Sequence, residues 1–344
     1  VENRKVTIHD IAARLNMSAS TVSRALNDYS RISEKTRELV KRTALEMNYK
    51  PNHLASNLRK GKGKLIGVII PRINRHFFSH AIAGMETITN PAGYNLMICQ
   101  TNEDYENERR SIQTLLNNRV DGIIMSISTS TLNEEHIVAA MHEKVPIVFF
   151  DRVLKNVEAD HVMNDNFSGG YEVTRHLIEQ GYRKIVHFTG PLHINVYADR
   201  YQGYLKAMNE AGLEVNSSMV FENVLMRVEG ERVAEQLYRS GQLPEAIFSA
   251  SDFSALGALL VFKKYGLAIP EQIGIAGFAN EPFTELVEPA ITTLEQHSEE
   301  IGRSVAKMLI ARLENDQVQE FTSSVSYKPK LIIRESTLRN KEEI

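Results

Sequence analysis

Residues 6–27 read VTIHDIAARLNMSASTVSRALN, and the folding of this stretch decides how the N-terminal part of the chain is built. Ile8, Ile11, Ala12 and Leu15 follow the i, i+3, i+4, i+7 spacing of one buried helical face. Thr7 stands just before them with Asp10 three residues on, a T-x-x-D start that resembles a capping box. Asn16 and Met17 interrupt the pattern, and Ser18 can cap a second helix. There Val22, Ala25 and Leu26 point inward, which turns Ala19, Ser20, Ser23 and Arg24 outward. Two short helices joined by a tight turn, the second showing small polar residues and an arginine, read as a helix-turn-helix. The outward residues are small enough for the helix to enter a major groove, where Arg24 can donate two hydrogen bonds to a guanine edge. The apolar spacing alone fits any short amphipathic helix pair, so the rest of the chain has to decide.

Ser33 can cap a third helix over about residues 34–48, with Leu39, Val40, Thr43, Ala44 and Met47 on one face. That completes a three-helix core of about 50 residues. After Tyr49-Lys50-Pro51, Asn52 can cap a further helix to about Lys60, too short to persist in water without a partner. The run Lys60-Gly61-Lys62-Gly63-Lys64 precedes a strand rather than following one; it reads as a basic linker, not a dinucleotide fingerprint. The chain of 344 residues carries a net charge of −3. That value hides an asymmetry: residues 1–64 hold 14 Lys+Arg against 6 Asp+Glu, about +8, leaving about −11 for the remainder. A basic head on an acidic body suggests that the head meets a polyanion. A solvated basic tail would carry charge too, but not the helical apolar spacing. Cys99 is the only cysteine, so no disulfide within the chain and no CxxC metal site is expected. No apolar run approaches a membrane span and VENRKVTIHD is not a signal peptide, so a cytoplasmic protein is expected.

From Leu65 the texture changes. Short β-branched runs alternate with helical segments: LIGVII (65–70), YNLMICQ (94–100), DGIIMSI (121–127), PIVFF (146–150), HVMN (161–164), KIVHFTG (184–190), SMVFEN (218–223), EAIFSAS (245–251) and IGIAGF (273–278). Helices are expected between them at about 106–118, 166–180, 200–211 and 252–265. Repeated βαβ implies parallel sheets covered by helices on both faces. The series is too long for one sheet of usual size, and two similar halves fit it better, the second starting near Asn164. A helix over 298–315 and the strands SSVSY and KLIIRES follow, and are expected to return to pack on both sheets.

With these residues in view, the chain resembles the lactose repressor/purine repressor family of bacterial transcription regulators. The resemblance rests on TIHDIAARLNMSASTVSRALN, then ISEKTRELVKRTALEMNYKPNHLASNLR and the strand IGVIIP. VDGIIM, FTGP with Asp199-Arg200 following, SDFSALGAL, IAGF and PAITTLEQ come next in the expected order. It covers nearly the whole chain. It implies a helix-turn-helix headpiece (1–50), a hinge helix and linker (51–64) and an α/β body (65–344) like periplasmic sugar-binding proteins, made of two doubly wound parallel-sheet lobes. The lobes are expected at about 65–164 plus 297–326 and 165–296 plus 327–344. It further implies binding of a palindromic operator DNA as a homodimer, most simply as a repressor, under control of a small sugar- or nucleoside-like effector. The DNA-contacting set so implied is Thr7, Ser18, Ala19, Ser20, Thr21, Ser23, Arg24 and Asn27, with Asn52, Ala55, Leu58 and Lys60 in the hinge. Leu58 matches the family's wedge position and would push between base steps in the minor groove; its other reading is packing against the body.

Ligands in open α/β sheets bind beyond the carboxyl ends of the strands. Those ends give Phe77 and Phe78, Asp151 and Arg152, and Asn164 to Asn166. In the second half they give Asp199-Arg200, Asn223 to Leu225, Asp252-Phe253 and Ala279-Asn280. The effector set is Phe77, Phe78, Asp151, Arg152, Asn195, Arg200, Leu225, Asp252, Phe253 and Asn280. Aromatic rings offer a stacking wall, and Asp, Asn and Arg offer orienting hydrogen bonds. Asp151, Arg200 and Asp252 also match family effector positions. Asp151 and Asp252 fit equally as caps of the following segment, and Phe78 as a core residue at helix entry. One departure stands out. The family usually has an acidic residue two places after the glycine in the turn that follows IAGF-like strands; here Ala279 occupies it. Either Asn280 takes over or the ligand differs in kind, and neither the effector nor its sign, inducer or corepressor, is visible in the sequence.

Two rivals are weaker. A dinucleotide enzyme would need a G-x-G-x-x-G after a strand; G-x-x-x-x-G-K-[ST], H-E-x-x-H and G-x-S-x-G are also missing, so no enzyme, cofactor or metal site is expected. A binding protein without DNA function would leave the headpiece unemployed; salt-dependent retention on heparin, lost without residues 1–60, separates the two.

Overall fold

The structure, a computed structural model, describes residues 6–26, 31–49, 63–154, 156–314 and 322–339. The expectations for Asn27, Asn52, Ala55, Leu58 and Lys60 lie outside the described residues. The chain divides into two compact units, 1–63 and 64–344.

The first unit holds α1 (Ile8–Leu15), α2 (Ala19–Leu26) and α3 (Glu34–Glu46). Thr7 and Asp10 form the reciprocal capping box: the Asp10 carboxylate accepts from the Thr7 N–H at 2.7 Å, and the Thr7 hydroxyl accepts from the Asp10 N–H at 3.4 Å. Asn16 ends α1 at φ 49°, a left-handed conformation that asparagine tolerates. The Ser18 hydroxyl accepts from the Thr21 N–H at 3.1 Å at the entry of α2, and Ser33 does the same for Thr36 at 3.3 Å in α3. Ile11, Ala12, Val22, Ala25, Val40 and Ala44 are buried together, so three amphipathic faces share one small core.

In the second unit β1 (Leu65–Ile70), β2 (Asn95–Gln100), β3 (Gly122–Met125), β4 (Ile147–Phe150), β5 (His161–Asn164) and β11 (Ser324–Tyr327) form a parallel sheet in the order β11-β5-β4-β3-β1-β2. The runs GIIM and IVFF are buried throughout instead of alternating, because helices cover both faces. A second parallel sheet contains β6 (Ile185–Phe188), β7 (Val220–Phe221), β8 (Ala246–Ser249) and β9 (Gly274–Ala276), in the order β7-β6-β8-β9. The chain returns through α11 (Ser298–Glu314) and β11 to the first sheet. The last strand, β12 (Lys330–Ile332), pairs antiparallel with β10 (Thr293–Glu295) in a two-stranded ribbon.

Helices α4 (His76–Thr89), α5 (Tyr105–Asn117), α6 (Glu135–His142), α7 (Asn166–Glu179), α8 (Asn195–Glu210), α9 (Arg227–Arg239) and α10 (Asp252–Lys264) fill the connections. α8 starts earlier than its sequence pattern suggests, because Ile194, Val196 and Tyr197 pack into the core beneath the first sheet. Three helix pairs approach through reciprocal glycines. A Cβ on Gly84 of α4 would lie 2.1 Å from the Glu299 carbonyl oxygen, and one on Gly302 of α11 would lie 1.9 Å from that of Ala81. Gly170 and Gly203 do the same for α7 and α8, Gly230 and Gly257 for α9 and α10. Only glycine lets these backbones come so near.

Candidate functional site

In the first unit Ser20 and Arg24 are exposed on α2, with Ala19, Thr21 and Ser23 half-buried beside them and Ser18 exposed at its entry. Ser18 holds the Ser20 and Thr21 hydroxyls at 2.8 and 2.9 Å, so this polar face is ordered from its N-terminal end. Thr7 is exposed at the start of α1. This is the geometry of a recognition helix whose N-terminal residues face outward.

In the second unit a cavity of about 1050 Å³, counting its open mouth, lies beyond the carboxyl ends of strands from both parallel sheets. Of the residues expected from sequence, Phe77, Phe78, Asp151, Arg152, Arg200, Leu225 and Phe253 line it. Arg152 follows β4 and is buried. It donates to the Glu103 carboxylate at 2.8 Å and to the Tyr197 hydroxyl at 3.0 Å, while its Nε lies 3.8 Å from Asp151. Burial alone would lower this guanidinium, but Tyr197, Glu103 and Asp151 hold it above its ordinary value. Burial also pushes the Asp151 carboxyl up against the pull of Arg152 and Arg200.

Arg200, brought in by α8, is 5% exposed. It donates from Nε to Asn166 at 2.9 Å, from Nη1 to the Ala250 carbonyl at 2.8 Å and from Nη2 to Gln296 at 3.2 Å. Its guanidinium lies 3.5 Å from the Phe278 ring centre. All three acceptors are neutral, so a buried positive charge is held in place without being neutralised by contact. Burial pushes the guanidinium down to about 10, which keeps it charged at neutral pH.

Three expected residues do not line the cavity. Asn195 ties the halves together, accepting from the Val153 N–H at 3.1 Å and donating to the Asp151 carbonyl at 3.3 Å. Asp252 is fully buried at the first position of α10, where it accepts from the Glu281 N–H at 2.9 Å and the Thr293 hydroxyl at 2.7 Å. Asn280 is clamped between Glu295 and Arg334 at 2.9 and 3.0 Å. The carboxylate lacking at Ala279 comes instead from Glu281, which lines the cavity and accepts from the His76 N–H at 3.2 Å. Arg72, Arg75, Glu103 and Tyr197 line it too. None of these was expected, although Arg72, Arg75 and Glu103 follow the ends of β1 and β2 and so carried the strand-end signal.

A buried carboxylate supports this wall from behind. Glu108 of α5 accepts from the Ser128 N–H at 2.6 Å and the Thr131 hydroxyl at 2.9 Å, and faces His136 Nε2 at 2.8 Å. The same loop places the Thr129 N–H on Glu103 at 2.9 Å.

A helix-turn-helix unit followed by a two-sheet α/β body with a polar cavity at its strand ends defines a class: ligand-responsive DNA-binding regulators. Comparison with known proteins narrows this. Residues 7–52 match the bacterial regulatory proteins of the lacI family, and residues 63–331 match the periplasmic binding proteins and sugar binding domain of the LacI family. The chain belongs to the LacI family of bacterial transcription regulators. It is 31% identical over 330 residues to the HTH-type transcriptional repressor PurR of Pasteurella multocida (strain Pm70), covering 96% of this chain and 98% of that one. Among solved structures it is similar to the lac repressor dimer bound to operator and the anti-inducer ONPF, with a TM-score of 0.87, 25% identity and coverage of 98% and 100%. A transcriptional regulator CelR–cellobiose complex is similar at a TM-score of 0.72 and 26% identity, over 96% and 100% of the two chains. Among the described residues no helix is long and apolar enough to cross a membrane.

Proposed function

We propose that this regulator binds a pseudo-palindromic operator as a homodimer, represses from it, and changes its DNA affinity when a polar small molecule fills the cavity. The observation that carries the reading is the buried, unneutralised Arg200 in a cavity of the same chain that presents an exposed Arg24 on a recognition helix. One helix-turn-helix reads only a half-site, so two chains must combine across the operator. In this reading residues 1–50 are the headpiece and 51–64 the connection, with Asn52, Ala55, Leu58 and Lys60 serving the minor groove and the phosphates. The body divides near 164, 297 and 327 into two lobes that move against each other. The protein acts in the cytoplasm and catalyses nothing. The similar CelR–cellobiose complex supports a sugar-like ligand. The test is selection of operator fragments from random DNA, followed by light scattering of the free protein and titration of the selected site. A dimer that binds a two-fold site more tightly as salt falls is expected. A stable monomer with full affinity for a single half-site would sink the reading.

A further inference from the structure

Among the described residues, three guanidiniums that face the cavity have no carboxylate within ion-pair distance: Arg72, Arg75 and Arg200. The carboxylates around them are committed elsewhere. Glu103 is taken by Arg152 and the Thr129 N–H, Glu229 by the N–H groups of Leu225 and Met226, and one oxygen of Glu281 by the N–H of His76. Arg75 is the most telling of the three. Its guanidinium lies 3.7 Å from the centre of the Phe253 ring, which fixes the plane of the fork. The acceptor it reaches is the Met226 thioether, a poor partner for a charged donor. Arg72 acts on it as a like charge and Glu281 as an opposite one, the Glu281 attraction being the larger, yet burial outweighs that attraction and still disfavours the charged form. Two cations that line one partly desolvated cavity, neither in an ion pair, gain from an anion that reaches both.

We propose that the effector is a hydroxyl-bearing organic anion whose carboxylate or phosphate lies between Arg72 and Arg75, its hydroxyls taking the part of the cavity lined by Arg200, Asp151 and Gln296. The inference rests on the reading of this cavity as the effector site and adds the charge of the ligand. Asp151 and Glu281 also line the cavity; they accept from hydroxyls and repel a second anionic group, which favours one acidic end on an otherwise neutral molecule.

The test uses the full-length protein and a panel of matched probes: hexuronates and aldonates, hexose phosphates, and the parent neutral hexoses, each followed by thermal shift and calorimetry. A saturable shift is expected from a sugar acid or a sugar phosphate and not from its neutral parent; which of the two responds identifies the anionic group. Arg75→Gln and Arg72→Gln should each weaken the responding anion roughly ten- to hundredfold, with melting of the free protein reporting that each variant is folded. No saturable shift from any anion overturns the proposal, as does a neutral parent that binds equally well. A neutral ligand that loses affinity in Arg200→Ala overturns the anion and leaves the effector site standing. Binding indifferent to Arg72, Arg75 and Arg200 alike overturns both.

Discussion

Arg24 stands exposed on α2 beside Ser20, so its contribution is a matter of what its fork meets in the groove. If it meets a guanine edge, Arg24→Ala costs about 1–3 kcal/mol and relaxes preference at one symmetric base position. Fluorescence anisotropy against operators changed base by base reads this, and an equal loss on every site would assign Arg24 to phosphate instead. Asp252 offers a test that needs no ligand. Burial pushes its carboxyl up to about 7, so between about pH 4 and that value the folded chain binds more protons than the unfolded one. The stability it contributes is therefore present at low pH and lost as pH rises through about 7. His187 runs the other way. Burial pushes its imidazole down to about 3, so it folds neutral, and its contribution is present above about pH 6.5 and lost as pH falls. The two slopes oppose each other over about pH 4 to 6.5. Asp252→Asn should leave the His187 slope uncovered, so that denaturant melts gain stability with pH more steeply than in the parent protein. An unchanged slope would mean that Asp252 folds ionised. Asp252 also shows what a sequence conceals at this scale. Its place at a strand end was readable, as for Phe77, Asp151, Arg152 and Arg200, because doubly wound sheets deliver strand ends to one cleft. Its direction was not: the Glu281 N–H and Thr293 hydroxyl turn the side chain inward. Glu281 escaped notice because it reaches the cavity from beyond a turn in which Ala279 takes φ 122° and Asn280 φ 47°, a path that no periodicity reports.

Strands were the most readable elements, since LIGVII and HVMN are strands over those same residues, and a short β-branched run bounded by turns has few other uses. The start of α8 was not readable, because it depends on Ile194, Val196 and Tyr197 finding a core built by the other half of the body. The antiparallel pairing of β10 and β12 was hidden for a related reason: a three-residue strand carries too little pattern to name its neighbour. The reciprocal glycines between helices also go unannounced in the sequence, yet they fix how deep each helix sits. Gly170 decides the matter for the cavity. A Cβ there would lie 2.2 Å from the carbonyl oxygen of Arg200 itself, so α7 sets the depth at which α8 presents that guanidinium. Gly170→Ala should cost about 1–3 kcal/mol through overpacking. It should also weaken the effector's influence on DNA by more than the lost stability explains, because the displaced residue is the one proposed to meet the ligand. Gly212→Ala is the control, a left-handed position at φ 67° with open space around it; it should lower stability without touching the response. Equal responses from both variants would show that α8 keeps its place when α7 is pushed away.

At the scale of the whole molecule, the segment after the headpiece leads directly into β1 of the first sheet, and three crossings join the halves of the body. They are β5 to α7, β10 to α11 and β11 to β12. Polar interactions across the junction include Arg152 to Tyr197, Asn195 to the Asp151 carbonyl, His76 N–H to Glu281 and His193 to the Thr129 carbonyl, beside the apolar patch where Ile194, Val196 and Tyr197 enter the core of the first half. Such a junction has short connections to turn about and one apolar patch to pivot on, which suits hinge or shear closure around a ligand. A ligand that closes it moves the lobe carrying β1 against the other. In the proposed dimer, a shift of that lobe would be passed along the chain to the DNA-binding unit. Effector and operator are then linked thermodynamically, and each must change the affinity of the other by the same factor. Arg200 is where the link can be cut. It sits in the cavity, its Asn166 and Gln296 partners flank two of the crossings, and it belongs to the body, so its removal should not touch the DNA-reading surface. Arg200→Ala is expected to abolish the effector's influence on operator binding while leaving effector-free affinity within a few-fold. A lower melting temperature should accompany it, from three acceptors left without their donor at about 1–3 kcal/mol each if buried and dry. Titrating labelled operator with and without a ligand found by thermal shift measures both affinities in one experiment. If the variant still responds at the same ligand concentration, the coupling runs through other residues; if effector-free DNA binding collapses although the protein remains folded, Arg200 holds the DNA-competent arrangement of the lobes itself.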